Sequence, residues 1–152
     1  MTTSNDVTHS VPESQLQAIA ALGFNFYQQG RLKEADTAFR FLKLLHPQAY
    51  YAHAGLGVVA MAKQPPDLEE ACQSLSRAAE LNADDASVQA SLGEAFLRVG
   101  EMEKAAAHLK RAVELDPQQK DPGAARARAI LVGLSSIVRQ IQERQVQSGS
   151  AA

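Results

Sequence analysis

The chain has 152 residues, one domain's worth, and a net charge of −2 from 15 basic and 17 acidic side chains. Both signs are interspersed, so there is no basic field to attract nucleic acid or an anionic membrane surface. The lone cysteine, Cys72, excludes an internal disulfide framework, and no window approaches the ~18 apolar residues of a membrane span.

Residues 1–11 open with Met1-Thr2-Thr3-Ser4-Asn5-Asp6, which lacks the basic and apolar regions of a secretory signal. A disordered N-terminus and a cytoplasmic protein are expected. Ser10 reads as an N-cap, with Pro12 in the first turn and Glu13 three residues on. Six helices should follow in pairs, at about 12–29 and 33–46, 50–63 and 67–82, and 86–99 and 103–116. Asp67 is a candidate N-cap for the fourth, with Glu70 behind it. After Lys120-Asp121-Pro122-Gly123 breaks the chain, Ile130, Leu131, Leu134, Ile137, Val138 and Ile141 recur at helical spacing. They predict a seventh helix over roughly 124–146, with a disordered tail at 147–152. It either caps the last helix pair or pairs with a second chain.

The helix pairs repeat one pattern. Leu22-Gly23, Leu56-Gly57 and Leu92-Gly93 lie 34 and then 36 residues apart. Ala35, Ala71 and Ala105 follow in phase, then Phe39, Leu75 and Leu109, and Pro47 and Pro117 close the outer copies. The mid-helix glycines each cost roughly 1 kcal/mol against Ala, which makes sense where a neighbouring helix approaches closely. Ala35, Ala71 and Ala105 are the expected small partners.

This pattern resembles the tetratricopeptide repeat. The resemblance implies an all-α fold over residues 12–119. Three tandem helix-turn-helix repeats, at about 16–49, 50–85 and 86–119, would form a short right-handed solenoid under a C-terminal capping helix. It also implies that the first helix of each pair lines a concave, partner-holding face. By position that face carries Ala20, Phe24, Tyr27, Tyr51, Ala54, Val58, Met61 and Leu97, with Gln17, Gln28, Ser87, Ala90, Glu94 and Arg98 among them. The large residues suggest an apolar trough with Ala20, Ala54 and Ala90 as gaps, suited to peptide anchors. Its alternative occupants are the protein's own N-terminal segment or a dimer partner. Related co-chaperones grip acidic peptide ends with a Lys/Asn/Arg clamp here, and Ala20, Phe24, Gly55, Ser87 and Ser91 cannot form one.

Chemistry is expected to be absent. His9, His46, His53 and His108 lack metal-ligand spacing, and no phosphate loop or nucleophile elbow occurs. The acidic pairs Glu69-Glu70 and Asp84-Asp85 sit at helix starts, where carboxylates favour the helix dipole. Neither a cofactor nor a metal is expected.

A narrower likeness lies in Gly23-Phe24-Asn25-Phe26-Tyr27-Gln28-Gln29-Gly30-Arg31, Ala38-Phe39-Arg40-Phe41-Leu42-Lys43-Leu44-Leu45 and Gly55-Leu56-Gly57. These segments resemble the class II chaperones of bacterial type III secretion, which hold translocator proteins in the cytoplasm before export. The resemblance implies a non-enzymatic chaperone whose groove holds an extended, apolar client segment. It implies a protein partner; a weak homodimer stays open, and charge and hydropathy give no expectation of a nucleic-acid or membrane partner. An adaptor linking subunits of a secretion or pilus assembly is the competing reading, and an enzyme with a diffuse site is a third.

Overall fold

A computed structural model describes residues 11–150, so the expectations for residues 1–10 and 151–152, including the Ser10 cap, lie outside the described residues. Seven helices form: α1 Glu13–Gln28, α2 Leu32–Leu45, α3 Tyr50–Ala62, α4 Leu68–Leu81, α5 Ala86–Arg98, α6 Met102–Glu114 and α7 Pro122–Gly149. No strand occurs among the described residues. Helices α1, α3 and α5 each pack on the even helix that follows, and α3, α5 and α7 also pack on the preceding even helix. Three helix hairpins stacked in this way make a short solenoid.

Local chemistry sets the boundaries. Asp67 and Asp85 cap α4 and α5, accepting from Glu70 N at 3.0 Å and Val88 N at 2.9 Å. Gly30 and Gly100 close α1 and α5 at φ +73° and +84°, a conformation that penalises any side chain. At α1 Pro12 holds the cap position and makes no side-chain hydrogen bond to the helix.

The Leu-Gly repeat has a different partner from the expected one. A methyl group on Gly23 would stand 2.8 Å from the Phe39 ring, and one on Gly93 2.7 Å from Leu109 Cγ. Gly57 meets Leu75 likewise, and Gly55 also faces Phe39. The glycine notch therefore receives the large side chain four residues after each alanine, while Ala35, Ala71 and Ala105 are fully buried beside it. Large into small at each pair is close packing without voids.

Polar contacts join the hairpins. Lys63 lies 3.2 Å from Glu70 and 3.3 Å from Asp36, and Arg40 bonds both carboxylates. Glu70 is thus more than a helix-start carboxylate, because it ties the first hairpin to the second. Burial pushes the Asp36 carboxyl up, but Arg40 and Lys63 outweigh it and hold it below the usual range.

The last helix departs furthest from expectation. Its N-cap is Asp121, which accepts from Ala124 N at 2.8 Å, and the helix runs on to Gly149 rather than stopping near 146. Asp121 lies 36 residues after Asp85, the same step as between the second and third Leu-Gly pairs. Helix α7 thus stands where the first helix of a fourth repeat would begin. Ala124 and Ala127 are buried, and Arg128 donates to the carbonyl and carboxylate of Asp116 at 2.7 and 3.0 Å. Its distal half is exposed, including Ile137, Val138 and Ile141 from the predicted stripe.

Candidate functional site

Helices α1, α3 and α5 form the inner row of the stack, with α3 touching both of the others. Between them lie two contiguous cavities that share Phe24, Val58, Ser87 and Ser91. The first, about 180 Å³, is walled mainly by Phe24, Tyr50, Tyr51, Ala54, Val58 and Val88. The second, about 570 Å³, adds Tyr27, Gln28, Met61 and Ala62, then Glu94, Arg98 and Arg126.

The aromatic wall is held in place. Phe24 packs edge-on against Phe39 at 4.8 Å between centroids, and the Tyr50 and Tyr51 rings meet at 5.5 Å and 76°. Tyr50 donates to Asp85 at 3.1 Å, and Tyr51 to Glu13 at 3.0 Å. Burial and those carboxylates push both phenols above their ordinary pKa, so they remain hydrogen-bond donors. Their rings therefore present fixed apolar faces, and little rotamer freedom is left to lose on binding.

Of the residues expected at the groove, the structure brings together Phe24, Tyr27, Tyr51, Ala54, Val58 and Met61. Two it does not. Ala20 is buried in the first hairpin's core beside Leu16 and Phe39, and Leu97 is half-buried and lines neither cavity. Ala90 is likewise filled in, packed with Leu109, Ala112 and Ala127 where α7 docks. Nor is the trough apolar throughout, since the wider cavity is charged at one end. Arg126 was invisible to the repeat template because it lies on α7. The available signal was the 36-residue step from Asp85 to Asp121.

His108 and Cys72 belong to the packing. His108 stacks on Phe96 at 5.5 Å, its Nδ1 lies 2.7 Å from Gln89 Oε1, and burial pushes its pKa down. Burial likewise raises the thiol pKa of Cys72, packed beside Leu75 and Leu92. Among the described residues no group of three or more His, Cys, Asp or Glu could hold a metal ion. No described helix is long and apolar enough to cross a membrane.

A stack of Leu-Gly hairpins around a cupped inner row is the architecture of tetratricopeptide repeats, and the tetratricopeptide-repeat family model matches residues 67–125. Within that class the chain resembles the translocator chaperones of bacterial type III secretion. Chaperone protein SicA of Salmonella typhimurium is 28% identical over 123 residues, 81% of this chain and 71% of SicA. PcrH of Pseudomonas aeruginosa, in complex with the chaperone binding region of PopD, superposes with a TM-score of 0.70 at 28% identity. That match covers 83% of this chain and 95% of PcrH. The translocator chaperone SycD of Yersinia enterocolitica shares the fold, with a TM-score of 0.68 at 24% identity over 82% of this chain and 93% of SycD.

Proposed function

We propose that this protein is a cytoplasmic, non-enzymatic chaperone that holds an extended apolar segment of a translocator-like secretion substrate in its inner groove. The observation that carries the reading is the preformed apolar pocket between α1, α3 and α5, walled by Phe24, Tyr51, Ala54 and Val58 and opening into the larger cavity. PcrH, whose structure this chain matches, was crystallised in complex with the chaperone binding region of PopD. The contact residues are Phe24, Tyr27, Tyr51, Ala54, Val58 and Met61. An anchor side chain buried in the pocket contributes on the order of 1.5–3 kcal/mol.

Calorimetric titration of the chaperone-binding region of PopD into the purified protein tests this. Tyr51→Ala should weaken binding by about 2 kcal/mol, roughly thirtyfold in Kd, as expected of an aromatic hot spot. Ala54→Phe should block binding by filling the pocket while leaving the helical circular dichroism spectrum unchanged. Binding indifferent to both substitutions would place the interface on another face. The charged end of the larger cavity favours a second reading, an adaptor that recognises a subunit of a secretion or pilus assembly mainly by charge. That reading predicts affinity that collapses between 0.1 and 0.5 M salt.

A further inference from the structure

Three charged side chains line the wider cavity, and they do not balance. Arg126 Nε donates to Glu94 Oε1 at 3.0 Å, which neutralises that pair. Arg98 donates one terminal N–H to the Met61 carbonyl at 3.1 Å and has no carboxylate partner among the described residues. A guanidinium carries five N–H donors in a planar fork. Arg98 and Arg126 each spend one of their nitrogens on these contacts, and the other donors make no side-chain hydrogen bond among the described residues. The cavity thus has a net charge of +1 and unspent donors, which suit a carboxylate.

The positions along the helices set a spacing. Ser87, Ser91, Glu94 and Arg98 follow one face of α5, and Tyr51, Ala54, Val58 and Met61 follow the matching face of α3. The apolar pocket lies at the N-terminal halves of both helices, and Arg98 ends the row. From Ser87 to Arg98 is eleven helical steps, about 16 Å of axis, or about five residues of extended chain. We infer that the groove reads a composite peptide: an apolar anchor in the aromatic pocket and, about four to six residues away, an Asp or Glu held by Arg98 and Arg126. This rests on the groove being the client site, and adds the charge that selects among apolar segments.

The test is a selection of phage-displayed random dodecapeptides on the immobilised full-length protein. The expected consensus has an aliphatic or aromatic anchor with Asp or Glu enriched four to six positions away. Replacing that acid by Gln in the selected peptide should weaken binding about five- to tenfold at 0.1 M salt, and much less at 0.5 M. On Arg98→Gln the acidic enrichment should vanish while the anchor persists, and Arg98→Lys should keep part of it. Because Arg126 also helps seat α7, Arg126→Gln is scored only alongside an unchanged melting curve. A consensus with an anchor but no acid, or an acid preference that survives Arg98→Gln and Arg126→Gln together, overturns the inference and leaves the chaperone reading standing. No consensus at all, or one untouched by Tyr51→Ala, overturns both.

Discussion

Phe39 shows how much one side chain organises. Its ring occupies the notch left by Gly23 and Gly55, and its edge supports Phe24 on the groove wall. A methyl group at Gly55 would collide with that ring, so Gly55→Ala should cost about 1–3 kcal/mol by overpacking. Because Phe24 leans on Phe39, the same substitution should weaken client binding more than the stability loss explains. Thermal melts and titrations of the one variant separate the two effects, and a variant as stable as wild type would show that the ring has room to move. Of the site, Tyr51, Ala54 and Val58 were legible because repeat register puts them on the inner row. Ala20 and Ala90 were not, because whether a small residue leaves a gap depends on what packs against it. For Ala90 that neighbour is α7, which the repeat template does not contain.

The six repeat helices were readable to within about two residues, since caps, Leu-Gly pairs and terminal prolines all agree. The end of α7 was not, because its last turns are rich in Gln and carry no apolar stripe to follow. Two predictions belong to elements. Deleting residues 122–152 strips Ala124 and Ala127 from the last hairpin and leaves Asp116 without Arg128, which should cost several kcal/mol. Cutting after residue 141 removes turns that are exposed throughout residues 142–150 and should leave the melting temperature nearly unchanged. An equal loss from both truncations would mean that the distal turns support the fold. The second concerns the packing of α5 against α6, where His108 is partly buried and its pKa lies below the usual 6.5. The unfolded chain takes up a proton near pH 6.5 that the folded chain still refuses. His108 therefore weakens the fold as pH falls from about 7 through that value towards the lower folded pKa. Asp36 and Asp116, both held below the usual carboxylate range, act only at more acid pH. Denaturant midpoints should thus fall between pH 7 and 5 in the wild type and less steeply in His108→Gln, and identical slopes would remove His108 as the cause.

Over the whole molecule the two ends of the stack are unlike. Leucines at one repeat position, Leu22, Leu56 and Leu92, are 50%, 1% and 1% exposed, because the second and third are covered by the preceding hairpin. Beside them Arg77 and Arg111 reach back to Gln48 and Asp84 of that hairpin, at 3.2 and 2.9 Å. The equivalent residue in the first hairpin is Phe41, itself half exposed, and with Ile19, Leu22 and Phe26 it lines an apolar groove of about 520 Å³. Where a stacked hairpin uses an arginine to grip its neighbour, the first hairpin offers an aromatic ring. Apolar surface left exposed among the described residues in this way favours association, and two copies meeting through it would make a small, weak interface. Sedimentation velocity across a concentration series should therefore show a reversible monomer–dimer equilibrium. Phe41→Glu combined with Leu22→Glu should shift it to monomer by placing charge on the shared face, and the groove should still bind its peptide. A wild type that sediments as a monomer at every concentration would leave this face to another occupant. Loss of peptide binding together with the dimer would instead mean that the groove is complete only when two chains meet.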